Sequence, residues 1–357
     1  MVLVGFVSQW AMPLFFVIAG IAAWHSLEKR KTCGFVWDRF RRLIVPLVFG
    51  LAVVVPPQHY YGLRTNPDYS ESYWQFYPKF FRVVLTPNFP EFIRADPAVG
   101  LFGLAHLWFL YYLFVFSMLS LPLFAYLRRA RGRRLVSRLA EVCQKPGAIF
   151  LLAIPAIVVE TFVLTEETTG WNRYAYIPFL VCGFLFAADH RFEQALGKYR
   201  NVGVIAGTVT VLGFFAMSAL TYLSHIDPSR GYGWESLLWR LLKSCSAFLW
   251  ITAILGSVQR FKERKLHDGA AMGDRGYSDG GRLRDARSYI NEAVMPFYII
   301  HQTVIVVIAF YVVQWHTAVL VKYLLIVIAT LTITFLIFVS IRRTNVTRVL
   351  FGMKLLN

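Results

Sequence analysis

The chain has 357 residues, of which 57% are hydrophobic and only 16% charged, with a mean hydropathy of +0.52. Soluble domains carry about 25% charged residues, so a soluble globular class is excluded. The net charge of +17 would suggest nucleic acid in a soluble protein. Here it sits in short loops between apolar blocks, where it reads as topology and attraction to anionic membrane lipid, with no nucleic-acid partner.

About nine spans are predicted, at 3–25, 43–57, 104–126, 147–164, 174–188, 202–224, 236–258, 290–313 and 319–341. Crossing ~30 Å of hydrocarbon takes roughly 20 helical residues, and helices satisfy their own backbone hydrogen bonds in lipid. The expected fold class is therefore all-α, a polytopic transmembrane helical bundle read as a single domain over 1–357. Loops 26–42, 127–146, 189–201 and 259–289 and the tail 342–357 hold 28 Lys and Arg, whereas the alternate loops hold 6. The rich set is expected to be cytoplasmic. An odd number of spans then leaves the first residue outside. The opening MVLVGFVSQWAMPLFF has no basic flank or small-residue cleavage site, so the reading expects a preceding span.

Taken in order, the first polar feature is DRFRRLIVPLVFG. Arg39 and Arg42 lie three apart, on one helical face. Two guanidinium groups suit a phosphate, which they bind in bidentate fashion. Positive-inside anchoring is the plainer alternative. Segment 58–103 is long, outside and rich in aromatics and proline, fitting either an interfacial belt or the mouth of an acceptor site. HLWFLYYLF places His106 and Trp108 at the outer start of the third span. His106 is protonatable near neutral pH, or is simply an interfacial side chain beside a belt Trp. Glu160, near the outer end of the fourth span, is a candidate that could instead reach the interface. Segment 267–287 reads as a flexible linker. SYINEAVMPFYIIHQTVIVV carries Glu292 at its entry, a helix-loosening Pro296, and then Tyr298, His301 and Gln302 near mid-membrane. Polar side chains at that depth are costly, and three within five residues point to function; a neutral, hydrogen-bonded structural His301 is the plainer alternative. The four cysteines (Cys33, Cys143, Cys182, Cys245) form no CxxC pair or ligand spacing, so neither a disulfide framework nor a metal site is expected.

Four stretches together resemble the membrane acyltransferase family 3, and within it the branch with the glucan succinyltransferases. They are WAMPLFFVIAGIAAWHSL, RFRRLIVPLVFGLAVVVPPQ, HLWFLYYLF and NEAVMPFYIIHQTVIV. The second matches an R-x-x-R-L-x-x-P segment through Arg39, Arg42 and Pro46; the fourth matches a YxxH segment through Tyr298 and His301. The resemblance implies a ten-span plan whose first span, carrying an Arg and a His base, precedes this sequence. It implies an integral membrane O-acyltransferase taking an acetyl or succinyl group from cytoplasmic acyl-CoA. That donor is a co-substrate, with no bound cofactor. The acceptor would be a carbohydrate or glycolipid hydroxyl, outside or lipid-linked, at the inner (plasma) membrane. Arg39 and Arg42 would meet the donor, and Tyr298 and His301 would line the reaction path. Trp108, Glu292 and Gln302 would be possible lining. A histidine suits the base that activates a hydroxyl, and Tyr or Arg donors suit the oxyanion. His106 and His301 are second choices for that base. An exporter of a polar solute, or a truncated non-catalytic relative, remains the alternative.

Overall fold

The computed structural model describes residues 2–356 apart from 88, 90, 91, 164–166, 169, 226, 228–232 and 272–279, and the side chains of all of these except 2, 167, 168, 265–271, 280–287. Among the described residues seven helices are long and apolar enough to cross a membrane: Leu3–Lys29, Thr32–Leu63, Ala105–Leu127, His190–Leu223, Trp234–Arg264, Ser288–Val312 and Val319–Ile341. Two shorter apolar helices, Ala148–Phe162 and Arg173–Ala188, stand with them. Each predicted span falls on one of these nine, and the chain is an all-α polytopic helical bundle. The described strands are short: Val83–Leu85 pairs antiparallel with Ile93–Ala95, and Glu167–Thr168 with Trp171–Asn172.

Three segments differ from the sequence reading. The helix holding the second span begins at Thr32, so most of the basic loop 26–42 is helical. The Asp38–Arg42 pair bridges one turn there, which keeps charged residues in a helix that hydropathy alone ends too early. In 58–103, helix Tyr73–Phe80 opens with a capping box between Ser72 and Gln75. Its Phe76 and Phe80 are fully buried, and Tyr60 packs against Tyr73 and Phe76. In 259–289, one helix runs on to Ala271 and the next starts at Gly280; residues 272–279 lie outside the described set.

The chain divides into two compact units, Met1–Thr32 with Phe116–Arg275 and Cys33–Val115 with Gly276–Asn357. In the first, helix Leu3–Lys29 packs on Arg173–Ala188 through paired glycines. A Cβ on Gly20 would sit 2.0 Å from the Leu180 carbonyl oxygen, and one on Gly183 would sit 1.9 Å from that of Val17. Small residues let apolar helices approach where lipid provides no hydrophobic drive. Phe16 stacks on Tyr176 and Phe124 on Phe184, with ring centroids 4.6 and 4.0 Å apart.

The first unit also buries charge. Lys243 Nζ lies 2.5 Å from Glu160 Oε1, with side chains 3% and 1% exposed. The Asn172 backbone N–H donates to Glu160 Oε2 at 3.0 Å, and Lys243 donates to the Gly170 carbonyl at 2.7 Å. Lys243 also lies over the rings of Trp171 and Trp239. Glu160 is therefore a member of a buried ion pair and does not reach the interface.

Candidate active site

The eight sequence-predicted site residues all lie in the second unit, where two helices run in the same direction. Gly50 faces Ile299, the Thr303 hydroxyl donates to the Val54 carbonyl at 2.8 Å, and Tyr61 packs on Phe310. The offset between partners stays near 249 residues over this stretch, which defines a parallel alignment. Thr32–Leu63 carries the arginines and Ser288–Val312 carries Tyr298 and His301.

Local sequence bends the first of these helices. Residues Phe40–Ile44 and Gly50–Val54 are π-turns, with Val45 N–H donating to the Phe40 carbonyl and Val55 N–H to that of Gly50. Pro46, Pro56 and Pro57 have no N–H to offer the carbonyls one turn back. The Ala52 carbonyl, orphaned by Pro56, accepts instead from the Tyr77 hydroxyl at 3.0 Å. Such π-turns concentrate at functional sites.

His106, Tyr298 and His301 form one cluster. The ring centroids of His106 and His301 lie 5.5 Å apart, and those of His106 and Tyr298 5.7 Å. His106 Nε2 lies 2.8 Å from the Ile299 carbonyl oxygen. A carbonyl only accepts, so Nε2 carries the hydrogen and Nδ1 keeps the lone pair of the neutral ring. That Nδ1 is buried and has no hydrogen-bond partner. Tyr298 completes a reciprocal clasp by donating its hydroxyl to the His106 backbone carbonyl. His301 Nδ1 faces the carbonyls of Phe297 and Tyr298 at 2.9 and 2.8 Å, which leaves its Nε2 as the basic nitrogen. Two imidazole lone pairs thus stand in one place, each oriented by main-chain carbonyls.

Backbone strain marks the same spot. Ala105, immediately before His106, has φ +44°, a left-handed conformation that costs an L-residue roughly 1–2 kcal/mol. Strain of this kind persists where surrounding structure over-determines it, and clusters at active sites.

The other predicted residues stand apart from this cluster. Arg42 Nε donates to Asp38 Oδ1 at 3.1 Å, and the Arg39 guanidinium lies over the Phe35 ring at 5.1 Å. The charges of Asp38 and Arg42 both reach Arg39. Arg42 sits eight residues before Gly50, about 12 Å along a helix axis at 1.5 Å per residue. Glu292 does not line the cluster: it accepts from Arg348 at 2.9 Å and lies 3.9 Å from Arg342. Arg348 is 2% exposed and also donates to the Lys354 carbonyl, so Glu292 ties the C-terminal tail to the helix. Trp108 is buried against Phe109 and Tyr112. Gln302 has no hydrogen bond to the cluster among the described residues.

Sequence reasoning passed over Asp38, Thr303, His59 and Gln58. Asp38 sits four residues before Arg42, a spacing readable as an i,i+4 pair. Thr303 carried no signal because its partner Val54 is 249 positions away, and His59 and Gln58 lay in a segment read only for its aromatic residues and prolines.

Comparison with curated proteins returns no match, and comparison with solved structures returns none. The family model described as an acyltransferase domain, acyltransferase 3, matches residues 1–339. With that match over most of its length, the chain belongs to the acyltransferase 3 family and is a multi-pass membrane acyltransferase.

Proposed function

We propose that the protein transfers an acetyl or succinyl group from cytoplasmic acyl-CoA to a hydroxyl of an external or lipid-linked carbohydrate. On this reading it sits in the inner (plasma) membrane with its C-terminus cytoplasmic, and is closest to the glucan succinyltransferase branch. The excess of basic residues in alternate loops supports the orientation. Arg39 and Arg42, at the basic end of the helix, would receive the donor's phosphates. The histidine cluster lies about two turns deeper, toward the thioester end of an extended donor arm. A phosphate arriving there would share Arg42 with Asp38.

The observation that carries this reading is the cluster of His106, Tyr298 and His301, with its oriented imidazole lone pairs. In the proposed step His301 Nε2 takes the proton of the acceptor hydroxyl, and that oxygen attacks the thioester carbonyl. The carbon–sulfur bond then breaks, the thiolate leaves as CoA and is protonated, and an ester remains on the acceptor. Tyr298 is engaged with the His106 carbonyl, so its proposed part is positioning. General-base help of this kind contributes typically 10²–10⁴-fold. The test is His301→Ala in full-length protein, assayed with radiolabelled acetyl-CoA. Transfer is expected to fall at least a hundredfold, with protein level and acetyl-CoA binding unchanged. Undiminished transfer would make His301 structural.

A further inference from the structure

Away from the histidine cluster, the first unit holds a cavity of about 310 Å³ at the corner between two helices. Its lining is part apolar, through Trp24, Leu127 and Val136, and part charged, through Glu28, Arg128, Arg133 and Asp189. A tight turn places the two arginines. Helix Ala105–Leu127 ends just before Arg128, and helix Ala130–Gln144 begins two residues after it. The corner closes because Gly132 packs on the preceding helix, where a Cβ would sit 2.1 Å from the Tyr126 carbonyl oxygen. Arg128 and Arg133 thus reach one cavity from the two sides of the turn.

The carboxylates of the lining are already engaged. Asp189 accepts from the Arg191 guanidinium at 3.0 and 2.7 Å, and Glu28 lies 3.1 Å from His25 Nδ1. Arg128 and Arg133 make no side-chain hydrogen bond or ion pair among the described residues. Arg128 is half-buried and Arg133 exposed, so neither is closed off from a ligand. Arg133 borders the buried stripe of Gly132, Val136 and Ala140, whereas Arg131 and Arg134 project from the opposite face of the same helix.

Two guanidinium groups without internal partners suit a phosphate, which they bind through paired N–H donors. The apolar part of the lining suits the glycerol and first methylenes of a lipid, with the Trp24 indole, packed edge-on to Phe184, placed as tryptophans are at a membrane boundary. We infer that this cavity is a headgroup site, in which Arg128 and Arg133 hold the phosphate of an anionic membrane lipid. The site is independent of the acyl-transfer reading, since it uses no residue of the histidine cluster and neither Arg39 nor Arg42.

The test uses full-length protein, delipidated in detergent and titrated with radiolabelled dioleoylphosphatidylglycerol. Saturable binding is expected, weakened roughly tenfold or more in folded Arg128→Gln/Arg133→Gln. Folded Arg131→Gln/Arg134→Gln, which removes the same charge from the other face, should bind as the unaltered protein does. Dioleoylglycerol, which lacks the phosphate, should not compete. Equal weakening by the two double variants, competition by dioleoylglycerol, or no saturable binding of either this lipid or radiolabelled inorganic phosphate overturns the site. Inorganic phosphate binding that Arg128→Gln/Arg133→Gln removes, without phosphatidylglycerol binding, keeps the phosphate site and overturns the lipid as its source.

Discussion

At the scale of single residues, the clasp between His106 and Tyr298 links two segments almost two hundred positions apart. Each side chain bonds the other segment's main chain, so neither can swing away without losing a part-buried hydrogen bond. The strained Ala105 is the local consequence of holding His106 in that clasp. Glycine adopts positive φ without penalty, and Ala105→Gly is expected to raise the thermal midpoint, reflecting up to about 1 kcal/mol. Acyl transfer should fall because the turn before His106 is loosened. A lower midpoint in scanning fluorimetry would show that the conformation carries no cost. The identities of His106, Tyr298 and His301 were legible in sequence as polar residues in apolar runs. Their roles were less so: which imidazole nitrogen is basic depends on carbonyls that no local pattern reveals. Glu292 misled for the same reason, since its partner Arg348 follows 56 residues later.

At the scale of elements, helix positions were readable because nine apolar blocks leave little choice in a bilayer. What hydropathy could not show is how those helices are modified. Charged turns extend the second helix to Thr32, and π-turns alter its face twice. The pairing of Glu160 with Lys243 was equally hidden, as the two are 83 positions apart. Removing one partner strands a buried charge, at a cost of about 3–5 kcal/mol. Glu160→Gln and Lys243→Met should each lower the thermal midpoint in detergent, whereas the double change Glu160→Leu/Lys243→Met should recover much of the loss. Equal destabilisation by single and double changes would mean that the pair is itself a net source of stability, and that the loss is not that of a stranded charge. A second charge device sits outside the spans. Asp189 caps helix His190–Leu223, and the Arg191 side chain, aided by its backbone N–H, holds the Asp189 carboxyl below the usual carboxylate range. A depressed folded-state value stabilises above the unfolded pKa and is lost as pH falls through the folded one. The stability gap between the unaltered protein and Asp189→Asn should therefore be constant near neutrality and close as the pH drops below about 4. A gap independent of pH down to 3 would show that the carboxylate charge is not involved.

At the scale of the whole molecule, the proposed reaction requires a charged donor and a polar acceptor to meet at one buried place. The proposed donor end is testable without turnover. Arg39→Ala/Arg42→Ala is expected to weaken acetyl-CoA binding at least tenfold in a protein that still folds, and the affinity of the unaltered protein should fall as salt rises. Unchanged affinity in the folded double variant would remove these arginines from the donor site. The parallel course of Thr32–Leu63 and Ser288–Val312 bears on the same end. Adjacent antiparallel helices cancel each other's macrodipoles, but two that point the same way add them, with both positive poles at the arginine-bearing end. Two like poles side by side repel, and on the proposed reading an anion bound near them offsets that repulsion. A donor phosphate would thus act as a counter-ion to the paired helix ends as well as a handle for the substrate.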